Sequence, residues 1–503
     1  MARTLGELER KLRQLESTLS AIGRGEEPGE VTSTGNPTST STGTSRSATG
    51  PSAPLEGGIR LVDEAIERGG IGDPGRPPGA TQHRGIPSSA TPAAPQLTQA
   101  PSAAELLGFR DRLERTAREL THDYDELLGR LSYPAVPTPS GPTISFARGA
   151  PSLDIVDVEG LRDAAARAFE SDPGGATAYG TSVGYPRLRT WIANRHGVEP
   201  ERVLVTNGSM QADAFLFEYL VEPEDVVIVE RPSYDRTLLS LRQRGAHLHA
   251  VELQPDGIDT EALAGLLGGW PRARPKLAHI IPNFQNPAGY TLSLAKRRAL
   301  LTLAEEHGFI VFEDDPYVAL RFTGEPLPSM LSMDPERVVY ASSFSKTVCP
   351  GIRVGYLVGP PELIAGIAQL ATNTYISPNM VSQAIVYEFC ASGAIDRSIE
   401  TVRTALSERA ATLVDALHRE LPDAEFVAPQ GGYFLWVTLP PGTDVAALFN
   451  AAAERGVSFV KGTDFMLEGG ENTLRLAYSG VTPAQIDEGV ARLADAYRSL
   501  ARV

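Results

Sequence analysis

The chain has 503 residues, 42% of them hydrophobic, and a formal net charge of −16. That is enough for a large buried core in roughly two to four domains. An acidic balance of this size argues against a general nucleic-acid surface, which needs a basic stripe, and no apolar run of about 18 residues is present to cross a membrane.

The chain opens MARTLGELERK, without the apolar core of a signal peptide, so the cytoplasm is the expected compartment. Leu5, Leu8, Leu12, Leu15, Leu19 and Ile22 then recur at alternating spacings of three and four. This is a heptad seam, ended by Gly23, Gly25 and Pro28. It spans too few heptads to be stable alone. Pairing with itself or another protein is the expected use of this 5–22 helix, and packing on the enzyme body is the alternative. Residues 31–57 and 70–102 are rich in Ser, Thr, Gly, Pro and Ala, and read as disordered linkers that cannot offset their chain entropy. A short helix is expected at 58–68 and a longer one at 103–131. Pro134, Pro137 and Pro139 separate this extension, 1–142, from the rest of the chain.

From about residue 200, apolar strand-like runs alternate with helical patterns. VLVT precedes a helix from Ser209, and VVIVE precedes one from Ser233. HLHAVEL, KLAHIIP, FIVFE, VVYAS and RVGYLVG come next. Such alternation predicts an α/β domain with a mostly parallel sheet covered on both faces. After about residue 385 a long helix at 397–420 and the run FLWVTL at 434–439 predict a smaller α+β domain. The division is thus 143–385 for the large domain and 386–503 for the small one. Cys349 and Cys390 lie far apart with no metal-type spacing, so both are expected reduced and no metal site is expected.

Five segments carry chemistry. SSFSKTVCPGIRVGY places Lys346 after a strand among hydroxyls, with Arg353 seven residues on. A buried lysine beside cations has a lowered pKa and can attack a carbonyl. Ser343, Ser345 and the fork of Arg353 suit a phosphate. TNGSMQ runs from strand through an Asn-Gly turn to a helix, and the free N–H groups at a helix start bind anions, phosphate most often. FEDDPY puts Asp314 at the end of a strand, where parallel sheets bind ligands, with Tyr317 three residues later. Asp315 is free to cap the following turn. A metal held by Glu313, Asp314 and Asp315 is disfavoured, because adjacent strand residues point to opposite faces. PNFQNPAGY holds Asn286 extended before Pro287. NTLRLAYS places Arg475 in a strand, able to take a carboxylate through two parallel hydrogen bonds.

In chain order FARGAPS, YGTSVGYPRLR, TNGSMQ, ERPSYD, PNFQNPAGY, EDDPY, SFSKTVCPGIRVGY and RLAYS resemble the class I/II aminotransferases of pyridoxal-phosphate (PLP) fold type I. The look is that of the kynurenine/α-aminoadipate and LysN-like branch. The resemblance covers 143–501 and implies a large domain with a mostly parallel, seven-stranded-type sheet plus a smaller C-terminal α+β domain. It implies that Lys346 forms the Schiff base with PLP and then shuttles the proton between substrate and cofactor. Asp314 would pair with the pyridine nitrogen, Asn286 and Tyr317 with the ring hydroxyl, and Tyr234 would stack on the ring. Ser209, Met210, Ser343, Ser345 and Arg353 would hold the phosphate. Tyr179 would reach the phosphate of a neighbouring subunit, which implies a homodimer with shared active sites. Gly149 would let the backbone approach the substrate, and Arg475 would grip its α-carboxylate.

The expected activity is transfer of an amino group between an amino acid and a 2-oxo acid by a ping-pong route. The alternative is the same site performing elimination, replacement, annulation or oxidation in a biosynthetic pathway, including on a substrate resembling S-adenosylmethionine. A third reading is a regulator that uses PLP as a sensor. Relatives of that kind carry a winged-helix DNA-binding domain, and none is read in 1–142. They also commonly have His-Gln where this chain has Phe284-Gln285-Asn286. The substrate side chain is not legible, and Tyr375 and Tyr433 are candidates to line its pocket.

Overall fold

The structure, a computed structural model, describes residues 143–270 and 274–500. The heptad seam, the two linkers and the helices expected at 58–68 and 103–131 lie outside the described residues.

A two-residue strand, β1 (Ile144–Ser145), enters the fold first. The main sheet is built from β2 (Val203–Thr206), β3 (Val226–Arg231), β4 (His247–Gln254), β5 (Gly257–Ile258), β6 (Pro275–Ile280), β7 (Ile310–Asp314), β8 (Val338–Ser343) and β9 (Gly355–Val358). Its order is β2-β9-β8-β7-β6-β3-β4-β5. The β4–β3–β6–β7–β8 stretch is parallel throughout, whereas β9 runs antiparallel to both of its neighbours.

The strands are near-continuous apolar runs because both faces are covered. Val203, Val205, Ile228, Ala278, Ile280, Val311 and Val338 pack into one core. Leu204, Val227, Val229, Leu277, Phe312, Val339 and Leu357 pack into the core on the other side. Each such aliphatic side chain contributes on the order of 1.5–3 kcal/mol when fully buried.

The small domain carries β10 (Phe434–Thr438), β11 (Val457–Ser458), β12 (Val460–Lys461) and β13 (Thr473–Ala477). β10, β13 and β12 form an antiparallel sheet. β1 pairs with β11, so the first described residues are stitched to this domain. The helices Ala394–Glu420 and Pro483–Leu500 supply its third core, with Leu406, Leu413, Leu417, Ile486, Val490 and Leu493. The 385/386 division falls inside the helix Met380–Ala391.

Register decides where the chemistry gathers. Thr206 and Ser343 both pair with Gly355, Asp314 pairs with Ala341, and Ile280 pairs with Glu313. The carboxyl ends of β2, β3, β6, β7 and β8 therefore share one edge with the start of β9. That edge is where open α/β sheets bind ligands.

Candidate active site

Lys346 lies three residues beyond β8, and its Nζ donates to the Gly149 carbonyl at 2.7 Å. The amine sits 5.2 Å from the Tyr433 ring centroid and 5.8 Å from that of Tyr317. Burial pulls its pKa from the ordinary 10.5 down to about 8. The Arg475 cation adds to this, Asp314 opposes it, and Arg353 contributes less. Among the described residues Lys346 makes no ion pair with a carboxylate.

Gly149 is required by a close approach. A Cβ there would overlap the Phe434 ring. The same ring lies 4.4 Å from the Arg475 guanidinium, and Phe465 lies 4.8 Å from it. Arg475 sits on β13, is 6% exposed, and donates to Asn286 Oδ1 at 2.8 Å and the Ala147 carbonyl at 2.6 Å. Its Nε is buried without a hydrogen-bond partner. A guanidinium with spare donors and no acidic partner among the described residues is suited to an incoming carboxylate.

A second group surrounds the start of the helix Ser209–Leu220. No side chain caps that helix, so its first N–H groups are free. Gly208 precedes it at φ 91°, and a Cβ at Gly208 would overlap the Arg353 guanidinium. Arg353 donates to Ser345 Oγ at 3.3 Å and to the Asn207 carbonyl at 3.4 Å. It adopts the left-handed conformation, φ 49°, at a cost of about 1–2 kcal/mol. Ser343 Oγ accepts from the Ser345 N–H at 3.2 Å. Met210 is 45% exposed beside this helix start.

Asp314 ends β7 at 5% exposure, and its Oδ1 is buried without a partner. Tyr317 is buried with its ring against Phe434 and Tyr433, and burial pushes its hydroxyl pKa well up. Tyr234, half-buried, directs its hydroxyl at the Met210 sulfur, 3.8 Å away. Tyr179 is 86% exposed. Of the substrate-pocket candidates, Tyr433 holds the Lys346 carbonyl at 3.1 Å. Tyr375 instead bonds the Ser182 carbonyl at 2.9 Å.

Some details differ from the sequence reading. Asp315 does not serve the following turn. It accepts from Asn283 Nδ2 at 2.9 Å inside the core, because β7 leads it inward next to buried Glu313. Glu313 accepts from the Met330 and Leu331 N–H groups on the opposite side from Asp314, as strand alternation requires. The Asn286–Pro287 peptide is cis. The helix expected from Ser233 begins at Asp235.

Three buried groups were not singled out from sequence. His279 on β6 lies with Nε2 3.6 Å from Asp314 Oδ2. Asp213, in the helix Ser209–Leu220, has its pKa raised well above the ordinary value by burial and then by Asp314. Burial pushes Glu230 up to about 8 although it accepts from Gln285 Nε2 and the Ile281 N–H. An acid in the apolar run ADAFLF was the one available signal for Asp213.

The residues present fit a phosphorylated aromatic aldehyde. The site offers a depressed amine, an unpartnered carboxylate oxygen and a cradle of Arg353, serines and helix N–H groups. Residues 142–493 match the family model Aminotransferase class I and II. The chain belongs to that family. A 2-aminoadipate transaminase from Thermus thermophilus is 36% identical over 363 residues, 71% of this chain and 90% of that protein. The crystal structure of LysN, an α-aminoadipate aminotransferase from Thermus thermophilus, was solved with N-(5'-phosphopyridoxyl)-L-leucine. It matches with a TM-score of 0.69 at 36% identity, over 72% of this chain and 94% of that one. The kynurenine aminotransferase of Pyrococcus horikoshii matches with a TM-score of 0.70 at 30% identity, over 76% and 95%. This aminotransferase is therefore a PLP-dependent transferase of amino groups with fold type I architecture. No helix among its described residues is long and apolar enough to cross a membrane.

Proposed function

We propose that Lys346 is the cofactor-linking amine and the acid–base group of this aminotransferase. One observation carries the assignment: Lys346, half-buried, holds its amine on the Gly149 carbonyl with a pKa depressed beside the Arg475 cation, and neither cation has an acidic partner among the described residues. When bound, PLP supplies an aldehyde that joins amino groups and a ring that withdraws charge from the substrate Cα.

The chain's own residues divide the remaining work. Lys346 moves the proton at the substrate Cα. Arg475 binds the α-carboxylate between Phe434 and Phe465, and Gly149 leaves room for it. Arg353, Ser343, Ser345 and the N–H groups of Ser209 and Met210 hold the phosphate. Asp314 sets its free oxygen against the ring nitrogen, and Tyr234 covers one ring face. Asn286 and Tyr317 serve the ring hydroxyl. A positioned acid–base group of this kind contributes on the order of 10²–10⁴-fold in rate.

The reading includes a homodimer in which the partner subunit's Tyr179 completes the phosphate site. Tyr179, Met210 and Ile376 are exposed apolar side chains, and the segments beside Met210 and Ile376 are tied by the Asn379 N–H to Asn207 Oδ1 at 2.9 Å. The compartment in this reading is the cytoplasm.

The test uses the yellow holoenzyme. An amino donor alone should discharge the colour and release its 2-oxo acid, and a 2-oxo acid acceptor should restore it. Release of ammonia or of a side-chain fragment in place of this exchange would contradict the reading.

A further inference from the structure

Lys346 lies in the turn that follows β8, outside both sheet and helix. Two side chains of the small domain reach that turn. The Tyr433 hydroxyl donates to the Lys346 carbonyl at 3.1 Å, and the Ser398 hydroxyl donates to the next carbonyl, that of Thr347, at 2.7 Å. Both side chains are buried, and a hydrogen bond in such surroundings is stronger than in water. The Tyr433 ring faces the other end of the same lysine, with Nζ 5.2 Å from its centroid. One side chain thus meets Lys346 at its main chain and at its amine. Burial pushes the Tyr433 hydroxyl pKa up, so it stays protonated and donates.

Tyr433 is itself held fast. Gly432 precedes it at φ 77°, and a Cβ there would overlap Phe284. The Tyr478 hydroxyl donates to the Gly432 carbonyl at 2.9 Å, and the Tyr478 N–H donates to the Tyr433 carbonyl at 3.1 Å. The Tyr433 ring packs against Tyr317 and Phe434.

We propose that Tyr433 is a positioning residue for Lys346: its hydroxyl fixes the lysine's peptide and its ring confines the amine, so the small domain sets where that amine points. A lysine amine rides on a flexible four-carbon stem, and proton transfer needs the reacting atoms held in line. Ser398 steadies the same turn from the helix Ala394–Glu420. With its hydroxyl engaged and its ring fully buried, Tyr433 serves the lysine rather than the substrate side chain. The inference rests on Lys346 being the cofactor-linking, acid–base amine.

The experiment compares the full-length wild type with Tyr433→Phe, Ser398→Ala and Lys346→Ala. The rate of borohydride-trappable PLP attachment is measured on each apoprotein. On each holoenzyme, discharge of the yellow colour is followed in a single turnover. The donor is the L-amino acid that discharges the wild type fastest, protiated or deuterated at Cα. Phenylalanine keeps the ring and removes only the hydroxyl. Tyr433→Phe is expected to slow attachment and discharge about ten-fold each, the effect of one buried hydrogen bond. The Cα deuterium effect on discharge should grow, while the half-saturating amino acid concentration stays within about two-fold. Ser398→Ala should show the same pattern at about three-fold. Wild-type rates and isotope effect in Tyr433→Phe would overturn the role of Tyr433. A slower discharge matched by an equal rise in half-saturating concentration, with the isotope effect unchanged, would do the same, because a loosened site would then be the cause. Undiminished attachment and discharge in Lys346→Ala would instead overturn the underlying assignment of Lys346.

Discussion

At the residue scale, Lys346 and Arg475 are two cations whose charges act on each other in one site. Burial and then Arg475 depress the Lys346 pKa from 10.5 to about 8. The sign of its pH dependence comes from linkage. Between about 8 and 10.5 the unfolded chain binds the proton that the folded apoprotein has released, so this lysine makes stability rise with pH in that window. Below about 8 both states are protonated and the burial penalty is constant. The free amine is the nucleophile, so borohydride-trappable attachment of PLP should accelerate with a midpoint near 8. In Arg475→Ala that midpoint should move up, and the Michaelis constant for amino acids should rise about 10- to 100-fold, the effect of losing charge-assisted hydrogen bonds. An unchanged Michaelis constant would remove Arg475 from the carboxylate site. Lys346, Arg353 and Asp314 were legible in sequence because their chemistry is rare at strand ends. His279 and Asp213 were not, because a histidine in KLAHIIP reads as one more strand position. It stands beside Asp314, a neighbour 35 residues on, only through the pairing of β6 with β7.

At the element scale, the strands from 203 onward were legible because sheet burial on two faces makes them continuous apolar runs. The helices Val158–Ser171 and Pro186–His196 went unread. The first buries only Ala164 and Ala168, so it shows no large-residue stripe. The second carries its signals at its ends, Pro186 at the start and left-handed Gly197 after the last turn. Placement of the site depends on how the helix Leu294–His307 is locked to β7. Arg297 is fully buried and lies 3.9 Å from Glu313. It also donates to the Leu292, Pro328 and Pro282 carbonyls and to Asn283 Oδ1. Arg297→Leu takes the cation from the buried Glu313 carboxyl and the donor from three carbonyls. It should cost about 3–5 kcal/mol, read as a lower urea midpoint with an unchanged slope. A loss under about 1 kcal/mol would mean that the pair is not holding the two elements.

At the scale of the whole molecule, the sheet edge gathers residues from across more than half the chain. Gly149, Gly208, Asn286, Asp314, Lys346 and Arg475 meet only because β9 reverses beside β2 and β8, and because β1 stitches the entry segment to the small domain. The motif order made the fold type readable, since each motif lies at a strand end that this topology brings to one edge. The contacts between distant residues within that edge were not readable, because pairing register and domain packing are long-range properties. The central claim is that one amine among all the lysines faces the cofactor. Borohydride reduction of the PLP-loaded protein followed by peptide mass mapping tests it most directly. The pyridoxyl adduct should lie on the peptide containing Lys346 and vanish in Lys346→Ala. An adduct on another lysine of the wild-type protein, with Lys346 unmodified, would contradict it.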